Sequence, residues 1–301
     1  MGLPDSVVLR DVTLRDGLQD EPPVPTDVKV AIFEALVVAG VRDLELTSFV
    51  RADRVPALAD AEALCAATAE TARRHGITRW GLVLNRRGAE RALAAGLVHL
   101  QYVVSVSDTH SRHNAAAGTD DAFAEFAVVA EAARSAGATI EMTLATAFGC
   151  PFEHRVDPAR VVDLARCAVD AGAGSVGLAD TIGVAMPDEV AMLVERVADV
   201  VEVPLGVHLH DTRGLAIANA LAALQHGVQR LDASVGGLGG CPFAPNASGN
   251  VPIEDLAHAL GAMGVATEVS VELLVTAATT ACHAVGRDVA SHVGVAGPRF
   301  T

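Results

Sequence analysis

The chain has 301 residues, of which 51% are hydrophobic, 20% charged and only 3% aromatic, with a formal net charge of −15. That length suits two average domains or one large α/β barrel, with a core built from Ala, Val and Leu. The acidic balance excludes nucleic acid or an anionic membrane as a general partner, while leaving room for a local cationic site.

Short β-branched or apolar runs alternate with Ala-rich helical patterns. Strands are predicted at 7–14, 41–48, 78–84, 98–106, 138–146, 174–180, 203–210 and 228–235. Helical periodicity fills the gaps, as at 26–40 and at 121–137, where Phe126, Val129, Ala130 and Ala133 share one face. Gly40, Gly76, Gly96, Gly137, Gly172 and Gly227 stand where helices are predicted to end. Eight such units fit an α/β fold of the (β/α)8 TIM-barrel type. An open doubly wound sheet fits less well, because no GxGxxG follows the first strand. No linker or composition break divides the chain, so 1–301 reads as one catalytic domain. The barrel is expected to occupy about 1–262 and a C-terminal helical extension 263–301.

Five scattered cysteines, Cys65, Cys150, Cys167, Cys241 and Cys282, contain no CxxC pair and match neither a disulfide framework nor a structural zinc site. Cys65, Cys167 and Cys282 lie in Ala-rich stretches and are expected to be buried small hydrophobes. The N-terminus lacks the basic and apolar regions of a secretory signal, and no run of 18 or more apolar residues offers a membrane span. A cytoplasmic setting with no membrane partner is therefore expected.

A barrel places chemistry at the C-terminal ends of its strands. The first strand runs into Arg15-Asp16, either a solvated charged pair or a carboxylate for a cation beside a guanidinium for a developing oxyanion. The second ends in Glu45-Leu46-Thr47, and the sixth in Asp180, which either orients a ligand or caps a helix. The seventh ends in His208-Leu209-His210, and strand alternation puts both imidazoles on one side, where they can chelate a divalent metal. With Asp16 and the amide oxygen of Asn250 they form a mixed N/O set suited to Mg2+ or Mn2+. After the eighth strand, Cys241 sits between flexible Gly236, Gly237, Gly239 and Gly240 and stiffening Pro242 and Pro245, as in a loop that closes over a substrate.

The segments RDGLQ (15–19), ELTSFV (45–50), GCPFE (149–153), DTIGVAMP (180–187), HLHDTRG (208–214) and SVGGLGGCPFAPNASGN (234–250) span nearly the whole chain. In that order the chain resembles the 3-hydroxy-3-methylglutaryl-CoA lyase family of metal-dependent lyase and aldolase barrels. The resemblance implies retro-Claisen cleavage of an acyl-CoA to acetyl-CoA and a keto acid, acetoacetate if the substrate is the family's own. It implies Asp16, His208, His210 and Asn250 as ligands of Mg2+ or Mn2+. His208 also meets the hydroxyl proton, Arg15 stabilises enolate charge, and Cys241 gives or takes the proton. Glu45 and Asp180 are implied as supporting carboxylates, and Asn85, Arg86, Ser107 and Asn114 as contacts of CoA and its acyl group. A homodimer is implied as well, and a place in leucine breakdown if the substrate is the family's own.

Several positions depart from the family pattern. Arg213 and Leu215 replace Tyr and Gln, Phe243 replaces Tyr, Gly236 replaces Ala, and the basic residue expected after Glu21 is missing. These differences bear on the acyl group, so citramalyl-CoA is the nearest alternative substrate. A Claisen-type synthase is further off, because the synthases share the HxH pair without the GGLGGCP loop. A non-catalytic barrel is furthest.

Overall fold

The computed structural model describes residues 2–240 and 249–299. Eight parallel strands close into a barrel in sequence order: β1 (Val8–Asp11), β2 (Asp43–Ser48), β3 (Thr78–Val83), β4 (His99–Ser105), β5 (Thr139–Ala145), β6 (Ser175–Asp180), β7 (Leu205–Leu209) and β8 (Arg230–Ala233). The connecting helices are α1 (Thr26–Val38), α2 (Ala61–His75), α3 (Arg86–Ala94), α4 (Asp108–Ala115), α5 (Thr119–Ser135), α6 (Pro158–Asp170), α7 (Pro187–Ala198) and α8 (Ala216–Gln225). After β8 come α9 (Ile253–Ala262), α10 (Val271–Ala284) and α11 (His292–Ala296). The fold is the expected (β/α)8 barrel with extra C-terminal helices, of which α10 packs on α1.

Local chemistry sets the boundaries. Asn85, Ser107, Asp157, Ser270 and Ser291 each accept a backbone N–H from the first turn of the helix they precede. The six glycines predicted to end helices all take positive φ, from 63° at Gly76 to 109° at Gly172. Strand ends shift by a residue or two from the predicted spans, and β1 shifts most. It stops at Asp11 rather than residue 14, because the Asp11 carboxylate accepts both the N–H and the hydroxyl of Thr13. That turn breaks the strand and starts one π-helical turn, Thr13–Gly17, of the kind that recurs at functional sites. Arg15 and Asp16 therefore ride on a helical turn above the strand end.

The apolar core lies between strands and helices, where Ile32, Phe33, Leu64, Phe126 and Val190 are buried. Cys65 and Cys282 are buried as expected, whereas Cys167 is only half-buried and Cys150 is buried. The barrel interior is different. It holds Arg10, Glu45, Gln101, Glu141, Arg230 and Asp232, all buried, in place of the branched aliphatics that usually fill such a barrel.

Outside the barrel, Glu254 at the start of α9 accepts the N–H of Gly236, at 2.9 Å to its nearer oxygen. Burial pushes this carboxyl up to about 7. The folded chain thus holds a proton that the unfolded chain has released between about pH 4.5 and 7, so stability falls as pH rises through that window. Glu254→Gln keeps an oxygen for Gly236 and removes the titration. Its gain in melting temperature over the parent should be larger at pH 8 than at pH 5, and an equal gain at both would contradict the assignment.

Candidate active site

At the C-terminal mouth of the barrel, Asp16, His208 and His210 bring one ligand atom each within 4.8 Å of one another. The two histidines are inward-facing neighbours at the end of β7, and Asp16 arrives from the π-turn. Nε2 of His208 and Nε2 of His210 lie 3.2 Å apart, and Asp16 Oδ2 lies 3.8 and 3.7 Å from them. The contacts to Asp16 are too long for hydrogen bonds. A metal–ligand bond of about 2.1 Å puts neighbouring ligands of an octahedron about 3 Å apart, close to these spacings. Asn250 completes the group. Its Nδ2 donates to Asp16 Oδ2 and to the carbonyl of Leu238, each at 2.9 Å. Its Oδ1 is buried and accepts nothing among the described residues, so it remains available to a cation. The residues present therefore fit a divalent cation.

The electrostatics fit as well. Burial alone would raise the pKa of Asp16, but Arg15 and the two imidazoles hold it well below the usual carboxylate range. Burial disfavours charge on His208, yet Asp232 and Asp16 outweigh it and raise its pKa. Arg15 is buried between two carboxylates. Its Nε donates to Glu45 Oε2 and its Nη1 to Asp16 Oδ1. Burial opposes its charge, and those two acids more than compensate, which keeps a fixed cation at the cavity wall. Glu45 is thus the support of Arg15, with burial raising its own pKa against that pairing.

The remaining expected residues divide. Asp180 Oδ1 and Oδ2 accept the N–H groups of Val184 and Ala185, each at 3.0 Å, so its carboxylate clasps the loop after β6 and holds no imidazole by a hydrogen bond. Asn85 and Asn114 line a cavity of about 670 Å3 that also takes in Arg15, Asp16, His208 and His210. Arg86 is exposed and pairs with Glu90, and Ser107 is buried as the cap of α4, accepting also from Cys150 Sγ; neither lines that cavity. Cys241 and Phe243 lie outside the described residues. The chain on either side of them is well placed. Gly240 lines the cavity, and His210 and Asn250 form an antiparallel bridge. Gly239, at φ 118°, lies so close that a Cβ there would meet Asn250 Nδ2 at 2.5 Å.

Arg213 is bound to backbone carbonyls. Its Nη1 donates to the carbonyls of Ile182 and Gly183, at 3.0 and 2.8 Å, stapling the loop after β6 to the loop after β7. Leu215 caps α8, and neither residue lines the cavity.

The sequence reading missed Arg51 and Arg54 at the cavity rim and His110 on its wall. His110 Nδ1 lies 2.7 Å from Ser105 Oγ, and burial brings its pKa down to about 4, so the ring is neutral. It also missed Asp232, 3.6 Å from His208 Nδ1. A signal was present: buried parallel strands usually read as unbroken apolar runs, and LRD, LEL, LQY, IEM and RLD each interrupt one.

A closed eight-stranded barrel with carboxylate, imidazole and amide groups gathered at its C-terminal mouth defines the class of barrel enzymes whose active site lies at that face. A family model described as HMGL-like matches residues 6–280, and the chain belongs to that family of carbon–carbon lyases. It is 40% identical to the (R)-citramalyl-CoA lyase of Chloroflexus aurantiacus over 98% of this chain and 96% of that one. It is 39% identical to the mitochondrial hydroxymethylglutaryl-CoA lyase of Mus musculus over 98% and 90%. An HMG-CoA lyase from A. baumannii, solved with coenzyme A and 3-methylmalate, superposes with a TM-score of 0.92 at 37% identity, covering 98% of this chain and 96% of that one.

His210→Ala removes one of two imidazoles from the cluster and should weaken Mn2+ binding by more than an order of magnitude in a calorimetric titration. Arg86→Ala, on the exposed face of α3, should leave that affinity unchanged.

Proposed function

We propose that the chain cleaves a 3-hydroxy-3-carboxyalkyl thioester of coenzyme A, 3-hydroxy-3-methylglutaryl-CoA in the first instance, to acetyl-CoA and a keto acid. The observation that carries this reading is the convergence of Asp16, His208 and His210 at the mouth of a cavity whose wall holds Arg15, with Asn250 hydrogen-bonded to Asp16 beside them. Asp16, His208 and His210, with Asn250, would hold Mg2+ or Mn2+, which would supply Lewis acidity to the reacting substrate.

The protein's own groups do the rest. A base at the site takes the C3 hydroxyl proton; the C2–C3 bond breaks and C3 becomes the ketone. The bonding pair leaves as the enolate of acetyl-CoA. Arg15, fixed by Glu45 and Asp16, presents a guanidinium that needs no reorganisation to meet that oxyanion. The Cys241 thiol then gives its proton to C2 and completes acetyl-CoA. Both ends of the segment that bears it, Gly240 at the cavity and Asn250 hydrogen-bonded to Asp16, support this role. Arg51 and Arg54 at the rim suit the phosphates of coenzyme A, and Asn85 and Asn114 its amide-bearing arm.

Citramalyl-CoA is a second reading, favoured by the 40% identity to a lyase of that name. The two substrates differ by one methylene between the carbinol carbon and the carboxylate, and the keto acid released is acetoacetate in one case and pyruvate in the other. A homodimer in the cytoplasm, and service in leucine breakdown if acetoacetate is the product, complete the proposal. Among the described residues no helix is long and apolar enough to cross a membrane.

Purified protein incubated with Mn2+ and a panel of 3-hydroxyacyl-CoA thioesters should release acetyl-CoA, and the keto acid identifies the substrate. Folded, metal-loaded protein that cleaves no member would refute the reading. Cys241→Ala should lower kcat by about 10²–10⁴, the usual worth of a positioned acid–base group, with Mn2+ affinity unchanged. A variant at full speed would remove the thiol from the mechanism.

A further inference from the structure

The charges inside the barrel form a connected chain. Arg10 donates to Asp43 at 2.7 Å and to Glu141 at 3.0 Å, lying 4.0 Å over the ring of Trp80. Glu141 also receives both terminal nitrogens of Arg230. Arg230 Nε donates to Asp232 Oδ1 at 2.8 Å. The chain then reaches Asp232 Oδ2, which is buried, takes no hydrogen bond among the described residues, and lies 3.6 Å from His208 Nδ1. His208 and Asp232 are direct cross-strand partners on β7 and β8. Space for the guanidinium is built into the sequence. A Cβ at Gly206 would lie 2.2 Å from Arg230, and one at Gly177 would lie 3.3 Å from it.

We propose that Asp232 is a positioning residue for the cation site: its charge, 3.6 Å from Nδ1 and beyond hydrogen-bond reach, favours the ring proton of His208 on that nitrogen, so that the Nε2 lone pair faces the ligand cluster. This rests on the metal reading of the site given above. A neutral imidazole carries one N–H, and an ionised carboxylate can only accept, so the proton belongs on the nitrogen beside Asp232. The other tautomer would aim an N–H from His208 Nε2 into the ligand cluster, 3.2 Å from His210 Nε2, and block a coordination position. Glu141 binds two of the three nitrogens of Arg230, and Asp232 takes the third with one oxygen only. One oxygen of Asp232 fixes it to Arg230, and the other is left for the ring. Carboxylates behind metal-binding imidazoles commonly tune metal affinity ten- to a hundredfold.

Two measurements test the assignment. In metal-free protein labelled with 15N-histidine, at a pH above the His208 titration read from the same spectra, long-range proton–nitrogen correlations read the tautomer of His208, assigned by its loss in His208→Gln. The parent should carry the proton on Nδ1, and a proton on Nε2 overturns the proposal without any variant at position 232. Asp232→Asn, which can turn an amide N–H toward the ring, should move the proton to Nε2. Mn2+ affinity read by electron paramagnetic resonance should fall ten- to a hundredfold in that variant. Parent-like affinity in folded Asp232→Asn protein removes the role of Asp232 while the metal reading stands. Failure of the parent to bind Mn2+ removes both.

Discussion

A charge taken into a protein interior must meet its opposite there, and this requirement organises the barrel. Arg10, Glu141, Arg230 and Asp232 are buried in the interior, where an isolated ion would be prohibitively costly. They persist because each bridges two partners, so that positive and negative groups alternate from Asp43 upward to His208. The arrangement dictates its surroundings. Glycines at 177 and 206 leave room for a guanidinium, and Trp80 lends its face to another. Removing one member would strand its neighbour, so the column is conditionally stable and rigid where the site needs rigidity.

The second organising feature is the junction between the first and last strands. Thr13, held by Asp11, accepts the N–H of Val235 at 2.9 Å, which joins the π-turn to the exit of β8. Gly236 then lies against Glu254 and Gly239 against Asn250. The turn that carries Arg15 and Asp16 and the stem of the loop that carries Cys241 are therefore one packed unit. A guanidinium, a carboxylate and an amide reach the same cluster from opposite ends of the chain, and their mutual placement is fixed by backbone contacts below them.

Substrate choice looks different in this light. Arg213 and Leu215 are the conspicuous departures beside His208 and His210, yet one staples two loops and the other begins a helix, and neither lines the cavity formed by the described residues. A sequence comparison places them next to the chemistry because the chain turns away immediately after His210. The cavity wall is lined instead by Gln19, Ala145, Ala179 and Thr181, with His110 also on it.

Patterns that repeat along the chain were legible without coordinates. Alternating apolar runs, glycines at helix ends and the i, i+2 spacing of His208 and His210 follow from backbone geometry alone, and each reports on its own neighbourhood. They were enough to define the barrel, the shared face of two imidazoles and the family. What depended on distance across the barrel was not legible. Glu45 serves Arg15, Asp180 spends both oxygens on a loop, Arg86 points to solvent, and Asp232 stands behind His208 because of how strands and loops meet in three dimensions. The sequence by itself determined which elements form and which residue types reach the mouth, because those depend on local periodicity. Only the tertiary structure decided the partner of each buried charge, because pairing inside a closed barrel links residues as far apart as Arg10 and Glu141.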